Sequence, residues 1–137
     1  MTDVFVGAGR KVRLRLPEGW EAATRASSTA LFASDDGRGA VNVSVLRTKN
    51  EAAVDVRDIL TSLAPGPGPL EVSGPRTLPG GETVWGLDYE DGTRAWRAWC
   101  VRRGRTVALL TYNCGLEHKG VEDAPVMEIV NSVRIED

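Results

Sequence analysis

The chain has 137 residues, of which 17 are Lys or Arg and 19 are Asp or Glu, giving a formal net charge of −2. It is 42 % hydrophobic and 26 % charged, with 15 Gly and 7 Pro. These figures fit one ordinary globular domain spanning 1–137 and exclude a disordered chain, a collagen and a disulfide scaffold. The acidic total also argues against a non-specific nucleic-acid binder, which needs a basic excess to neutralise phosphates.

Val12-Arg13-Leu14-Arg15-Leu16 alternates apolar and basic, the period of a strand with one buried face. Arg13 and Arg15 are expected on its solvent side, as the guards of an edge-like strand. Pro17-Glu18-Gly19-Trp20 reads as a turn. Thr29 to Ala33 and Ala40 to Leu46 read as strands around Asp36-Gly37, a pair that favours a two-residue hairpin. That hairpin would set Phe32 opposite Val41 and Ala30 opposite Val43. Residues 51–63 form a helix candidate, because Val56, Ile59, Leu60 and Leu63 share one face of a 3.6-residue period. Ala64 to Pro69, rich in Pro and Gly, ends it as a surface crossover.

The second half is a strand series: Leu70 to Ser73, Thr83 to Tyr89, Thr93 to Arg102 and Thr106 to Asn113. A second helix candidate covers 124–132, with Asp123 as cap and Pro125 in its first turn. Met127 and Val130, with Val126 and Ile129, make its apolar stripe, and Ser132 to Ile135 reads as a short final strand. A two-residue Asp91-Gly92 loop would pair Tyr89 with Arg94, Leu87 with Trp96 and Trp85 with Ala98. A two-residue Arg103-Gly104 loop would pair Cys100 with Val107, Ala98 with Leu109 and Trp96 with Thr111. One sheet face then carries Trp85, Leu87, Tyr89, Trp96, Ala98, Cys100, Val107 and Leu109. The other carries Val84, Asp88, Ala95, Arg97, Trp99, Val101, Ala108, Leu110 and Tyr112. Both are mostly apolar and both require cover. The expected fold class is α+β, an α/β/α sandwich with a central antiparallel sheet.

Cys100 and Cys114 are kept apart by this register, with Cys114 opposite Thr93, so two free thiols are expected, as in a reducing compartment. The first residues show no basic segment followed by an apolar run, and no run approaches the ~20 residues of a membrane span. A cytoplasmic location is therefore the expectation.

No convergent catalytic set is visible. His118 is the sole histidine, in the polar stretch Gly115 to Gly120, and a zinc site would lack ligands. Asp35-Asp36 and Glu122-Asp123 sit where turns and helix starts favour acids. Gly7-Ala8-Gly9-Arg10 lacks the strand–helix context of a phosphate loop. Arg94, Arg97, Arg102, Arg103 and Arg105 interleave with Trp96 and Trp99, but Trp96 falls on a core face and Arg102 to Arg105 decorate a turn. The set that stands out is Asp88, Arg97, Trp99 and Tyr112, which share one sheet face and include the residue types enriched at binding hot spots. The bland reading of the same set is an Asp88–Arg97 pair at the rim of a helix-covered core.

The opening strand followed by Leu16-Pro17-Glu18-Gly19-Trp20 resembles the PsbP/Mog-like superfamily. So do the middle helix between two strand groups, the late strand Leu110-Thr111-Tyr112-Asn113 and the ending Ile129-Val130-Asn131-Ser132-Val133-Arg134-Ile135. The resemblance implies an α/β/α sandwich of the bacterial PsbP-like kind and carries no catalytic residues. Members act mainly as binding or assembly factors, some bacterial ones as chaperones for type VI secretion effectors. Others are lipoproteins, whose lipobox cysteine this chain lacks near its start. The expected function is a non-enzymatic protein-binding module: a chaperone, adaptor or immunity-type partner. The alternative is a small-molecule or lipid-binding domain with an apolar cleft between helix and sheet. No cofactor or metal is expected, and the expected partner is another protein, not nucleic acid or membrane. Homodimerisation through an edge strand stays open.

Overall fold

The computed structural model describes residues 2–7, 9, 11–25, 28–35, 37–49, 55–63 and 72–136. Along them run β1 (Thr2–Val6), β2 (Val12–Leu16), β3 (Trp20–Arg25), β4 (Ser28–Ala33), β5 (Gly39–Arg47), α1 (Val56–Leu63), β6 (Ser73–Thr77), β7 (Thr83–Glu90), β8 (Arg94–Arg103), β9 (Thr106–Gly115), α2 (Asp123–Ser132) and β10 (Arg134–Ile135). A 3-10 turn, Leu116–His118, links β9 to α2. Seven strands make one antiparallel sheet in the order β3-β4-β5-β9-β8-β7-β6, and a smaller sheet runs β1-β2-β10.

The apolar faces deduced for β7, β8 and β9 are the faces that pack into the core, except at Trp96, expected there, which stays partly exposed with its Nε1 bonded to Asp91 at the turn. Leu87, Ala98, Cys100 and Val107 pack with Val56 and Leu60 of α1, flanked by Trp85, Tyr89 and Leu109. Val84, Ala95, Trp99, Val101, Ala108, Leu110 and Tyr112 face the other way. Their cover corrects the sandwich expected from the sequence. Beside Val126, Ile129 and Val130 of α2 lie Val6, Val12, Leu14 and Leu16 of the small sheet and Ile135 of β10. A ten-residue helix cannot cover so wide a sheet, and the alternating strand β2 supplies the missing apolar area. β2 is central in its sheet, not edge-like, so an edge-guarding role for Arg13 and Arg15 falls away.

Three registers differ from expectation. Tyr89 faces Trp96, not Arg94, and Trp85 faces Cys100. The connection is longer because the Asp91 side chain captures the turn's own donors: Oδ1 accepts from the Thr93 N–H at 3.1 Å and the Arg94 N–H at 2.8 Å, and Oδ2 from Trp96 Nε1 at 2.9 Å. At the next hairpin Arg103 pairs with Thr106, so the loop is Gly104-Arg105, with Gly104 taking the left-handed φ of 58°. Cys100 therefore faces Leu109, and Cys114 faces Ala95 instead of Thr93. Both shifts are even, so every side chain stays on its deduced face. The β4–β5 shift is odd. Leu31, not Phe32, faces Val41, and Thr29 faces Val43, which buries Leu31 completely and leaves Phe32 half-buried. Asp36, on which the two-residue hairpin rested, lies outside the described residues.

α1 begins at Val56, with Asp55 Oδ1 accepting from the Asp58 N–H at 3.2 Å. Residues 51–54, the Pro–Gly crossover 64–69, Leu70 and the Leu63 side chain lie outside the described residues, as do Ala8 and Arg10. α2 starts at Asp123, one residue before the expected range, and Glu122 precedes it without a side-chain cap. Among the described residues no helix is long and apolar enough to cross a membrane.

Candidate functional site

Asp88, Arg97 and Tyr112 form one cross-strand row over β7, β8 and β9. Their side chains must emerge together because register partners share a face. Arg97 Nε donates to Asp88 Oδ1 at 3.0 Å, and Nη1 reaches Asp123 Oδ1 of α2 at 3.4 Å. Its guanidinium lies over the Trp99 ring, 4.9 Å from the centroid, a cation–π contact with the residue two positions on along the same face. Trp99 and Tyr112 are each only 4 % exposed, so they form the floor. The indole finds room because its cross-strand partner is Gly86, where a Cβ would sit 3.3 Å from Trp99 Cδ1. The four sequence-selected residues are thus brought together. Two are buried supports, and two stand at the rim.

Beside this row lies a groove of about 460 Å³, lined among others by Asp88, Glu90, Arg97, Tyr112, Cys114, Lys119 and Asp123. The side chains of Asp88 and Asp123 are 69 % and 56 % exposed. Glu90 pairs with Lys119 at 3.6 Å. Arg97 is held between two carboxylates and an aromatic face, so its charge is largely spent within the protein. The groove is lined by three carboxylates, Asp88, Glu90 and Asp123, and two cations, Arg97 and Lys119, an excess of one negative charge among the described residues.

Glu122 is the residue that sequence reading left among ordinary helix-start acids. It is buried, and its Oε1 accepts from Tyr112 Oη at 2.7 Å and from the Gly39 N–H at 2.9 Å. One carboxylate thus ties β9, the start of β5 and the start of α2. Burial and the Glu122 bond push the Tyr112 hydroxyl above its usual range, so it stays a donor throughout neutral pH. Gly39 passes so close to the Asn113 carbonyl that no Cβ fits there. A glycine opening a strand was the available sequence signal.

The other candidates are placed as follows. Cys100 and Cys114 are free and buried in separate apolar clusters, and burial pushes the Cys100 thiol up to about 12. His118 sits in the 3-10 turn, 3.6 Å from Glu117. Arg94 donates to Asn113 Oδ1, Arg102 to the Gly104 carbonyl and Arg105 to the Thr48 carbonyl, so these arginines hold turns together. Trp96 stacks on Tyr89 at 5.9 Å between centroids, on the face opposite Trp99. Among the described residues no group of three potential ligands is arranged for a metal.

No family model and no curated protein matches the chain in sequence. Solved structures do match in shape. One, from Bacteroides thetaiotaomicron, superposes with a TM-score of 0.68 at 13 % identity over 98 % of this chain, which spans 48 % of that protein. LpqN, involved in cell envelope biogenesis of Mycobacterium tuberculosis, superposes at 0.63 with 17 % identity over 99 % of this chain and 91 % of its own. Cyanobacterial PsbP from Synechocystis superposes at 0.60 with 8 % identity over 98 % and 92 %. The chain has a PsbP-like fold. The likeness expected from the Pro17–Trp20 turn and the order of elements holds at the level of architecture. The PsbP-like core here is mostly strand, with α1 on one face and α2 beside a small sheet on the other.

Proposed function

We propose that this chain is a non-enzymatic protein-binding module of adaptor or chaperone type, working in a reducing compartment. It would engage its partner through the groove above the Asp88–Arg97–Tyr112 row. The observation that carries the proposal is a rigid floor with a charged rim. Tyr112 in the groove is locked by packing and by Glu122, Trp99 is buried beside it under Arg97, and Asp88 and Asp123 present exposed carboxylates on either side of Arg97. Such a floor needs no ordering on association, which lowers the entropic cost of binding. The rim favours a partner segment that offers a basic side chain. The fold of LpqN and PsbP is compatible with this reading.

Against a cysteine nucleophile stands the burial of Cys114. Against the small-ligand alternative, Leu60 of α1 is wholly buried against the sheet. The test starts with recovery of stoichiometric partners from the native host. Affinity is then measured for the Asp88→Lys/Asp123→Lys variant. Loss of at least ~1.4 kcal/mol, tenfold, supports the groove. Unchanged affinity removes the groove from the proposal, and a small molecule that co-purifies in the groove or under α1, with no protein partner recovered, overturns it.

A further inference from the structure

The outer face of the small sheet carries a row that the groove does not explain. Phe5 of β1 pairs with Arg13 of β2, and Arg13 pairs with Arg134 of β10. The two arginines are register partners, but the Arg134 guanidinium turns to the end of α2, where Nη1 donates to the Asn131 carbonyl at 3.1 Å and the Val133 carbonyl at 2.7 Å. Among the described residues Arg13 has no acidic partner within ion-pair distance, whereas its neighbour Arg15 has Asp3 at 3.5 Å. Protection of a free edge does not account for Arg13, because β2 is the middle strand.

More positive charge converges on the same place from distant parts of the chain. Arg103, in the β8–β9 hairpin of the large sheet, reaches the Ile135 carbonyl at 3.2 Å. Together with Lys11, Arg13 and Arg134 it lines a hollow of about 310 Å³. Two carboxylates line it as well. Glu82 is fully buried; its Oε2 accepts from the Ile135 N–H at 2.9 Å, while its Oε1 has no hydrogen-bond partner among the described residues. Glu136 is exposed on the rim. Among the described residues four cations line the hollow against two carboxylates, an excess of two positive charges on a chain whose net charge is −2. Arginine is suited to such a place, because its planar fork binds oxyanions and it cannot shed its proton to relieve repulsion. Phe5, 45 % exposed, adds an apolar surface at the edge of the hollow.

We propose that this hollow binds a phosphate group, with Arg13 and Arg134 as its principal contacts. The organic part of the ligand would rest toward Phe5. A dianion of this size matches the charge excess and would be held by Arg13 together with the Arg134 donors that the carbonyls at the end of α2 leave free. The site lies at the Arg103 end of β8, away from the groove near Arg97, and does not depend on how that groove is used.

The test compares wild type with Arg13→Gln, an exposed substitution that removes no buried group. Thermal unfolding is followed in sodium phosphate and in sodium chloride of equal ionic strength, then with phenyl phosphate. Vesicle binding is measured with phosphatidic acid in phosphatidylcholine and with phosphatidylcholine alone. The expected result is a rise in Tm with phosphate beyond that with chloride, and phosphate affinity roughly tenfold to a hundredfold weaker in Arg13→Gln. Arg13-dependent capture by phosphatidic acid vesicles without a response to soluble phosphate would assign the group to a lipid headgroup. Equal responses to phosphate and chloride, together with no Arg13-dependent vesicle binding, overturn the proposal. So does full phosphate stabilisation of Arg13→Gln.

Discussion

Replacing Tyr112 by Phe removes one oxygen and nothing else. That oxygen donates at 2.7 Å to Glu122 Oε1, in a place where Tyr112 is 4 % exposed and Glu122 is also buried. A buried hydrogen bond to a charged acceptor contributes about 1.5–3 kcal/mol. Oε1 keeps its second donor, the Gly39 N–H at 2.9 Å, so the carboxylate is not orphaned and the cost should fall near 2 kcal/mol. That is about a thirtyfold change in the unfolding constant, and roughly 6–8 °C in Tm for a domain of this size. Urea unfolding followed by the fluorescence of the four tryptophans measures it directly. The pH dependence supplies an independent check. Folded Tyr112 holds its proton above the ordinary value of 10.0, so its contribution is complete below that pH and is lost as pH rises past it. Wild type and Tyr112→Phe should therefore converge in strongly alkaline solution. A second cycle with Glu122→Gln isolates the pair, with an expected coupling of about 1 kcal/mol. A Tyr112→Phe variant within about 0.5 kcal/mol of wild type at neutral pH would refute the latch.

Leu60→Ala, which empties a fully buried site beneath α1, should cost about 2–4 kcal/mol in the same assay. It should also speed modification of Cys100, whose thiol is otherwise protected by burial in that cluster. Denatured, unreduced protein should titrate two thiols, and native protein should react slowly with the same reagent. Finding no thiols would contradict the separation of Cys100 and Cys114 on the sheet. Asp91 is held well below the usual carboxylate range by Trp96 Nε1 and by the backbone N–H groups of Arg94 and Thr93. Its contribution is therefore present above the unfolded value of 3.8 and fades as pH falls below it, so Asp91→Asn should lose stability at neutral pH but approach wild type in acid.

What the sequence made legible was set by which physical signal each element carries. Burial on one face leaves a period of two, and that period assigned every side chain of β7, β8 and β9 to its correct face although both hairpin registers were displaced. The displacements were invisible because turn length depends on side-chain bonds such as Asp91 to Trp96, which no periodicity records. Where the shift was odd, at β4–β5, the same reasoning put Phe32 in the place of Leu31. Strands without a buried face left no trace. β3 and β6 are the two edges of the large sheet and are exposed almost throughout, so Glu21-Ala22-Ala23-Thr24-Arg25 and Ser73-Gly74-Pro75-Arg76-Thr77 show no alternation to read. β1 escaped notice for a related reason, since it buries fully only Val6.

The candidate sites divide along the same line. Asp88, Arg97, Trp99 and Tyr112 were found because a row across adjacent strands is fixed by face alone, and an even register error does not scatter it. Glu122 was passed over because an acid before a helix looks the same whether it meets water or a buried tyrosine. Only the approach of Gly39 from β5 distinguishes the two. The basic hollow was further out of reach. Lys11, Arg13, Arg103 and Arg134 meet only because β10 closes against β2 while a hairpin of the other sheet reaches over both. Arg13 is the instructive case. An alternating strand with outward arginines has a sufficient explanation at an edge, and that explanation holds only while the strand is an edge. Once β10 occupies that side, edge protection no longer accounts for Arg13, whereas Arg134 is accounted for by the carbonyls it bonds at the end of α2. An outward arginine that neither an edge nor an ion pair among the described residues explains is the physical reason to look for a ligand there.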